Sequence, residues 1–242
     1  MSEPVQIDPL KNVYRESFVE NPRHFKDLRN QHTALICIDM QYLDAAEGYG
    51  LFKNRETSPI PLEQMRYYFD RLTDTVLPNV HNLQNCFRAH GLEVIHVRIQ
   101  SLTKDGRDRS KGHRRLNLHA APGSGDATFL EEVAPVGDEI VINKTASGVF
   151  SATNLNFVLQ NLGISSLYIV GVYTNECVET TVRDACDLGY LVTMVDDGCA
   201  TVTQEMHDNS LNNLRNRYAR VVNTEKALSD VENQLDLVDF NS

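Results

Sequence analysis

Six short apolar runs alternate with helix-like segments along this 242-residue chain. Runs of this kind, without strict alternation of polar and apolar residues, are typical of strands that are covered on both faces. They lie at residues 33–38, 92–98, 139–142, 167–172, 191–195 and 219–222. Strands that alternate with helices form βαβ units, so the pattern predicts an α/β protein with a parallel, doubly wound sheet.

The helix-like segments between these runs support the same architecture. They lie at 62–90 with a break at Pro78, at 154–162, at 177–188, at 203–216 and from about Thr224. Gly189 follows the third of them, at the position where a left-handed cap ends a helix. The segment from 101 to 135 has no clear period and is rich in Lys, Arg, Gly and His. A long loop beyond the carboxyl end of a strand commonly shapes a ligand pocket in an open α/β sheet.

The pattern also predicts how the chain is organised. Residues 1–31 are polar and carry three prolines, so we expect an N-terminal arm that packs on the body or reaches a neighbouring subunit. Residues 32–228 form the predicted α/β domain, and residues 229–242 an acidic C-terminal tail.

Composition narrows the possible partners and the compartment. The 33 acidic and 23 basic side chains give a net charge of −10, which repels phosphate backbones and disfavours nucleic-acid binding. The longest apolar stretch, 167–173, is too short to span a bilayer, and no secretory signal is visible. The five cysteines are odd in number and lack CxxC spacing, which indicates reduced thiols. We therefore expect a cytoplasmic protein without membrane partners.

Three reactive side chains stand just past the ends of predicted strands, where this architecture places its ligands. They are Asp39, Lys144 and Cys177. A cation and a helix N-terminus near Cys177 would favour its thiolate, and Asp39 could carry the proton. Each residue also has an ordinary structural interpretation: Asp39 as a loop or cap residue, Lys144 as a surface cation, and Cys177 as a small apolar filler.

Longer motifs around these residues resemble the isochorismatase-like cysteine hydrolase family. They are Asp39-Met-Gln41, Lys144 with Ser147, Phe150 and Thr153, and Gly171-Val-Tyr-Thr-Asn-Glu-Cys177 continuing to Ala185. Gly189, Asp196-Asp197, Ala200 and His207 continue the match, which covers about residues 32–228.

The resemblance implies a role for each residue of this set. Cys177 is similar to the family's nucleophile, Asp39 to its general acid/base and Lys144 to its catalytic lysine. The family's cis peptide falls here between Val172 and Tyr173, and the N–H groups of Tyr173 and Cys177 would form an oxyanion hole. The resemblance further implies a three-layer α/β/α fold with strand order 3-2-1-4-5-6.

The same resemblance favours one branch of the family. Nicotinamidases bind a metal through Asp and His residues, and no histidine follows Asp39 before His81. Isochorismatases proper need no cysteine nucleophile. The remaining branch cleaves amides and ureides without a metal or other cofactor, so we expect hydrolysis of a small N-carbamoyl compound with release of ammonia. The alternatives are an isochorismatase, a nicotinamidase-like amidase, or a binding protein without catalysis.

Substrate contacts are predicted from position along the chain. Gln41, Phe150 and Thr174 lie close in sequence to the three catalytic candidates, although an exposed glutamine and a core aromatic are ordinary alternatives. Four arginines of the long loop could bind the carboxylate of an acidic substrate. They are Arg107, Arg109, Arg114 and Arg115. By analogy with the family we also expect a homodimer or homotetramer.

Overall fold

A computed structural model describes residues 9–19 and 21–239 of the chain. Its strands form one parallel sheet with the order β3-β2-β1-β4-β5-β6. They are β1 (Thr33–Ile38), β2 (Glu93–Ile99), β3 (Ile140–Lys144), β4 (Ser166–Val172), β5 (Leu191–Ala200) and β6 (Arg220–Val222). The predicted fold class and strand order are therefore confirmed, and every predicted apolar run contributes to a strand.

Helices cover both faces of this sheet. They are α1 (Pro9–Phe18), α2 (Arg23–Arg29), α3 (Tyr42–Ala45), α4 (Leu62–Arg71), α5 (Leu77–Ala89), α6 (Lys111–Arg115), α7 (Val149–Ala152), α8 (Leu155–Asn161), α9 (Glu179–Asp187), α10 (Gln204–Leu214) and α11 (Thr224–Asp239). Short 3₁₀ turns occur at Gly50–Phe52, Gly125–Ala127 and Glu131–Val133. Within the described ranges no helix is long and apolar enough to cross a membrane.

The predicted helix at 62–90 is two helices joined by a π-helical turn, Leu72–Val76. Pro78 has no N–H with which to continue a helical ladder, and it lies in the first turn of α5, where that N–H is not needed. The wider turn therefore allows the chain to pass the proline without leaving the helical path.

Two apolar layers flank the sheet, one on each face. The first lies between the sheet and helices α2, α4, α5 and α11, and it includes Leu28, Tyr68 and Phe87. The second lies against α8, α9 and α10 and includes Leu159 and Val182. Strands β1 and β4 are buried along their whole length because they occupy the centre of the sheet. This is the three-layer arrangement predicted from the sequence.

The chain ends pack on this body over the residues that the structure describes. Asp27 of α2 accepts hydrogen bonds from the hydroxyls of Ser165 and Ser166, at 2.8 and 2.6 Å. Helix α11 runs past residue 228 without a break, and Val231 is buried in the first apolar layer. Residues 1–8 and 240–242, the outer parts of the predicted arm and tail, lie outside the described residues.

Candidate active site

Strands β1 and β4 approach each other closely at their carboxyl ends. A Cβ atom built on Gly171 would lie 2.1 Å from the carbonyl oxygen of Ile38, and Gly171 has a φ of 125°. Only glycine tolerates both the contact and this backbone conformation. The glycine therefore brings the segment after β4 next to the residue after β1.

Asp39 follows β1 directly, in the left-handed conformation with a φ of 53°. Aspartate visits this region more readily than most residues. Its N–H donates a hydrogen bond of 2.8 Å to the carbonyl of Val97 in β2. The carboxyl group is thereby held, fully buried, at the carboxyl edge of the sheet.

Lys144, the last residue of β3, reaches across β2 to this carboxyl group. Its buried Nζ lies 2.8 Å from Asp39 Oδ2 and donates hydrogen bonds to Cys177 Sγ at 3.1 Å and to the carbonyl of Ala146 at 3.2 Å. The ammonium group is thus held by one ion pair and two hydrogen bonds. The side chain of Lys144 thus joins the three catalytic candidates in one buried cluster.

Cys177 lies in a π-helical turn, Thr174–Val178, that leads from β4 into α9. The Val172–Tyr173 peptide bond before this turn is cis, at the position that the resemblance implied. The carbonyl of Tyr173 accepts hydrogen bonds from the N–H groups of Glu176 and Val178, at 3.1 and 3.3 Å. The turn therefore fixes the thiol at the end of β4, facing Lys144.

The buried cluster holds a neutral thiol at rest. Burial raises the pKa of Cys177 well above its ordinary value, and the Lys144 ammonium offsets only part of this effect. Burial raises the pKa of Asp39 as well, again against the attraction of Lys144. Burial alone would lower the pKa of Lys144, but the two acidic neighbours raise it. Lys144 thus favours the thiolate, as expected from the sequence, but burial outweighs its attraction and keeps the resting thiol neutral.

Gln41 and Thr174, two predicted substrate contacts, are engaged by the protein itself. Gln41 Nε2 donates to the carbonyls of Ile99 and Asp126, at 3.0 and 2.8 Å, and its Oε1 accepts from the Ile99 N–H at 2.6 Å. The Thr174 hydroxyl lies 2.9 Å from Nδ1 of His207. Gln41 thus braces β2 and the long loop behind the cluster, and Thr174 anchors the turn before Cys177.

The third predicted contact, Phe150, lies on another surface. Its ring stacks on Tyr190 with centroids 5.8 Å apart, and it packs against the second apolar layer. The sequence places Phe150 six residues after Lys144, but helix α7 turns its side chain toward α9 instead of toward the thiol.

A cavity of about 160 Å³ borders the turn that carries Cys177. Tyr173, Glu176, Leu116 and Leu118 are among its lining residues. The long loop thus helps to shape a pocket, as its length and position predicted.

The arginines proposed as carboxylate clamps are engaged elsewhere. Arg107 is largely exposed and pairs with Asp105, Arg109 donates to the carbonyls of Gly106 and Leu118, and Arg114 donates to the carbonyl of Arg107. Arg115 is exposed. The structure therefore shows no arginine side chain at the cavity wall among the described residues.

Sequence reasoning missed Asp44, whose side chain lies near the cluster. Asp44 belongs to α3, is 2% exposed, and its carbonyl accepts hydrogen bonds from the hydroxyls of Tyr68 and Tyr173, at 2.7 and 3.1 Å. Burial, Asp39 and Glu176 raise the pKa of its carboxyl group well above the ordinary value, against the attraction of Lys144. Its only sequence signal is an acid five residues after Asp39 inside a short apolar helix.

The isochorismatase domain family matches residues 33–226, which is most of the chain and includes all three members of the cluster. This chain belongs to the isochorismatase family. The predicted family and the prediction of an isochorismatase-like hydrolase are thus confirmed.

Three similar proteins illustrate the range of the isochorismatase family. Ureidoacrylate amidohydrolase RutB of Acinetobacter baylyi is 27% identical, over 87% of this chain and 88% of its own length. Nicotinamidase 3 of Arabidopsis thaliana is 31% identical, over 43% of this chain and 54% of its own length. A crystal structure of a cysteine hydrolase from Pseudomonas syringae shares the fold with a TM-score of 0.68 and 21% identity, covering 84% of this chain and 94% of that one.

Proposed function

We propose that this protein is a cysteine-dependent amidohydrolase that cleaves the terminal amide of a small ureido or N-carbamoyl compound and releases ammonia. One observation carries the proposal: a buried ammonium, Lys144, contacts both the carboxylate of Asp39 and the sulfur of Cys177. Asp39 also lies close enough to Cys177 to raise the pKa of the thiol further, after the larger effect of burial. A nucleophile, a proton carrier and a fixed positive charge are thus in direct contact.

The first half of the reaction forms a covalent intermediate. Asp39 accepts the thiol proton as the sulfur of Cys177 attacks the carbonyl carbon, and the Lys144 ammonium stabilises the negative charge that leaves Asp39 and appears on sulfur. The N–H groups of Tyr173 and Cys177 face the oxyanion in this proposal. When the tetrahedral intermediate collapses, the C–N bond breaks, the nitrogen takes the proton from Asp39, and ammonia leaves.

The second half restores the enzyme. Asp39, again ionised, accepts a proton from a water molecule. The oxygen of that water attacks the carbonyl carbon of the thioester or thiocarbamate. The C–S bond then breaks, the acid product leaves, and the sulfur of Cys177 takes the proton back from Asp39. Each step moves one proton between Asp39 and a partner. Besides the substrate, only water is consumed.

The relatives support an amide substrate. The name of RutB states the hydrolysis of a ureido compound, and that of Nicotinamidase 3 the hydrolysis of a carboxamide. Both reactions break a C–N bond outside peptides. A ureide is favoured here because RutB matches over most of both chains, whereas Nicotinamidase 3 matches over about half.

The test is ammonia release from biuret, N-carbamoylsarcosine, ureidoacrylate, maleamate and nicotinamide, with chelator present. We expect release from a ureide by the wild type and its loss in Cys177→Ala. The matched control is Cys186→Ala, which removes a half-buried thiol of α9 and should stay active. A Cys177→Ala variant as active as the wild type contradicts the mechanism, and ammonia from nicotinamide alone supports the nicotinamidase-like alternative instead.

A further inference from the structure

The carboxyl group of Asp44 has a hydrogen-bonding capacity that nothing in the described part of the protein uses. Its Oδ2 is buried and accepts no hydrogen bond from any residue in the ranges 9–19 and 21–239. The proposed reaction does not require it either. A buried acceptor without a donor costs folding free energy, and a ligand N–H group is one donor that would satisfy it.

The electrostatic surroundings of Asp44 are acidic. Asp39, Glu176 and Asp126 all raise the pKa of its carboxyl group, after the larger effect of burial, and Lys144 lowers it. Lys144 Nζ already pairs with the carboxyl group of Asp39 and donates hydrogen bonds to Cys177 and the Ala146 carbonyl. Its positive charge is therefore already engaged by the protein itself.

A second potential cation near Lys144, the imidazole of His113, is neutral. Burial, with a smaller effect from Lys144 and Arg109, lowers the pKa of His113 to about 4. At neutral pH it therefore offers no positive charge to an acidic substrate.

The cavity wall repeats this pattern. Its polar side chains include Glu176 and Asn175, and much of the remaining wall is apolar, for example Leu51, Leu118 and Met206. Within the described part of the chain no Lys, Arg or His side chain lines it. A ligand in this cavity thus meets one acid, Glu176, among mostly apolar groups, while the unpaired acceptor of Asp44 lies close to the reacting cluster.

We infer that the substrate is an amide or ureide that is uncharged or cationic and carries N–H donors beside the scissile bond, and that Asp44 and Glu176 select it over acids of the same shape. This inference rests on the proposed function for the position of the scissile bond. An N–H group can donate to the acceptor of Asp44, whereas a carboxylate meets no free cation and repels whichever of these acids is ionised. The substrate class therefore differs from that of RutB, whose named substrate is a ureido acid.

A matched pair of compounds tests this selection. N-carbamoylglycine and its N-methylamide carry the same carbamoyl group and differ in one end, a carboxylate against a neutral N–H donor. Binding to Cys177→Ala is measured by calorimetry, which needs no turnover. We expect the methylamide to bind at least roughly tenfold more tightly, the size of effect that like-charge repulsion gives in a poorly solvated cavity.

Three variants in the same Cys177→Ala background assign the effect. Asp44→Asn and Glu176→Gln each replace one ionisable carboxyl group by an amide of nearly the same shape, and each should reduce the preference for the methylamide. Glu179→Gln is the matched control: it removes an acid of α9 that pairs with Arg183 and does not line the cavity, so the preference should stay. Should Asp44→Asn fail to fold, judged by its thermal transition, Glu176→Gln at the exposed rim still tests the inference.

The outcomes separate this inference from the proposed function. Preferred binding of the methylamide without Cys177-dependent ammonia release by the wild type supports the selection and contradicts the proposed reaction. Equal or tighter binding of the acid overturns the inference, even if both compounds are hydrolysed. Failure of both compounds to bind overturns it as well, because the site then recognises neither form of this carbamoyl group. A preference for the methylamide that survives in both Asp44→Asn and Glu176→Gln also refutes the role of the two acids.

Discussion

Replacing Lys144 by methionine tests whether this residue is the charge partner of a buried carboxylate. Lys144→Met keeps most of the side-chain volume and removes the ammonium that lies 2.8 Å from Asp39 Oδ2. Both side chains are almost completely buried. Removing one partner of a buried ion pair costs about 3–5 kcal/mol, because the other charge is left uncompensated. We therefore expect a loss of this size in the free energy of unfolding at pH 7.

The penalty should depend on pH with a definite sign. Without Lys144, burial raises the pKa of Asp39 further, so the folded variant binds a proton that the unfolded chain has released. Stability then falls as pH rises above the unfolded pKa of about 3.9, by up to about 1.36 kcal/mol per pH unit. Between pH 5 and 7 the loss in Lys144→Met should grow by up to about 2.7 kcal/mol. The variant therefore approaches the wild type in acid.

Urea unfolding followed by circular dichroism at pH 5 and pH 7 measures this penalty. Asp39→Asn combined with Lys144→Met should be more stable at pH 7 than Lys144→Met alone, and its stability should lose most of the added pH dependence. The control is Lys226→Met, which breaks a partly exposed pair with Asp230 and should cost less than about 1 kcal/mol. A penalty equal at both pH values, or a double variant that loses the sum of both single losses, would refute the reasoning.

Three further predictions concern acid sensitivity and packing. Burial raises the pKa of Asp39 above its ordinary 3.8, so kcat/KM should fall on acidification at a higher pH than for a solvated aspartate; a pH–rate profile with its acid limb at or below 3.8 contradicts this. Burial alone would raise the pKa of Glu139, but hydrogen bonds, foremost from Arg88, lower it to about 2. The contribution of Glu139 to stability is therefore present above pH 4.5 and disappears as pH falls toward 2. In Glu139→Gln, Tm should depend less on pH across that window. Gly171→Ala should lower Tm by roughly 6–12 °C, because a Cβ atom there overlaps the Ile38 carbonyl. Gly163→Ala is the control and should lower Tm less, because the space around Gly163 is open. Equal losses in Tm would contradict the packing argument.

The strands of the sheet could be predicted because a buried strand appears in the sequence as an apolar run, whatever elements pack against it. Strand β1 was predicted at 33–38 and is observed there, since a centrally buried strand must be apolar on both faces. Strand β5 was predicted to end at Val195 but continues to Ala200. Its last part contains Asp196, Asp197 and Gly198, which no apolar run would include. The pairing with β4 extends it after a change of register beyond Ile169.

The catalytic cluster was predictable for a related reason. The carboxyl ends of parallel strands lie at one edge of the sheet, so residues that follow β1, β3 and β4 must converge there. Side-chain direction was not predictable in this way. Phe150 is close to Lys144 in sequence, but helix α7 directs it to Tyr190. Only the three-dimensional path of a helix decides such a contact.

The resting protonation state of Cys177 could not be predicted from the sequence, for a physical reason that also bears on selectivity. Sequence identifies a cation and a helix next to the thiol, and both favour ionisation, but it does not reveal that the sulfur is fully buried beside Asp39 and Asp44. Burial foremost, and then these carboxyl groups, raise the pKa of the thiol, and in the proposed mechanism its proton leaves by transfer to Asp39. In the proposed site, the acidity that favours N–H donors over carboxylates therefore also keeps the nucleophile neutral until a substrate is bound. Selection of the substrate and restraint of the thiol are, on this argument, two consequences of the same buried charges.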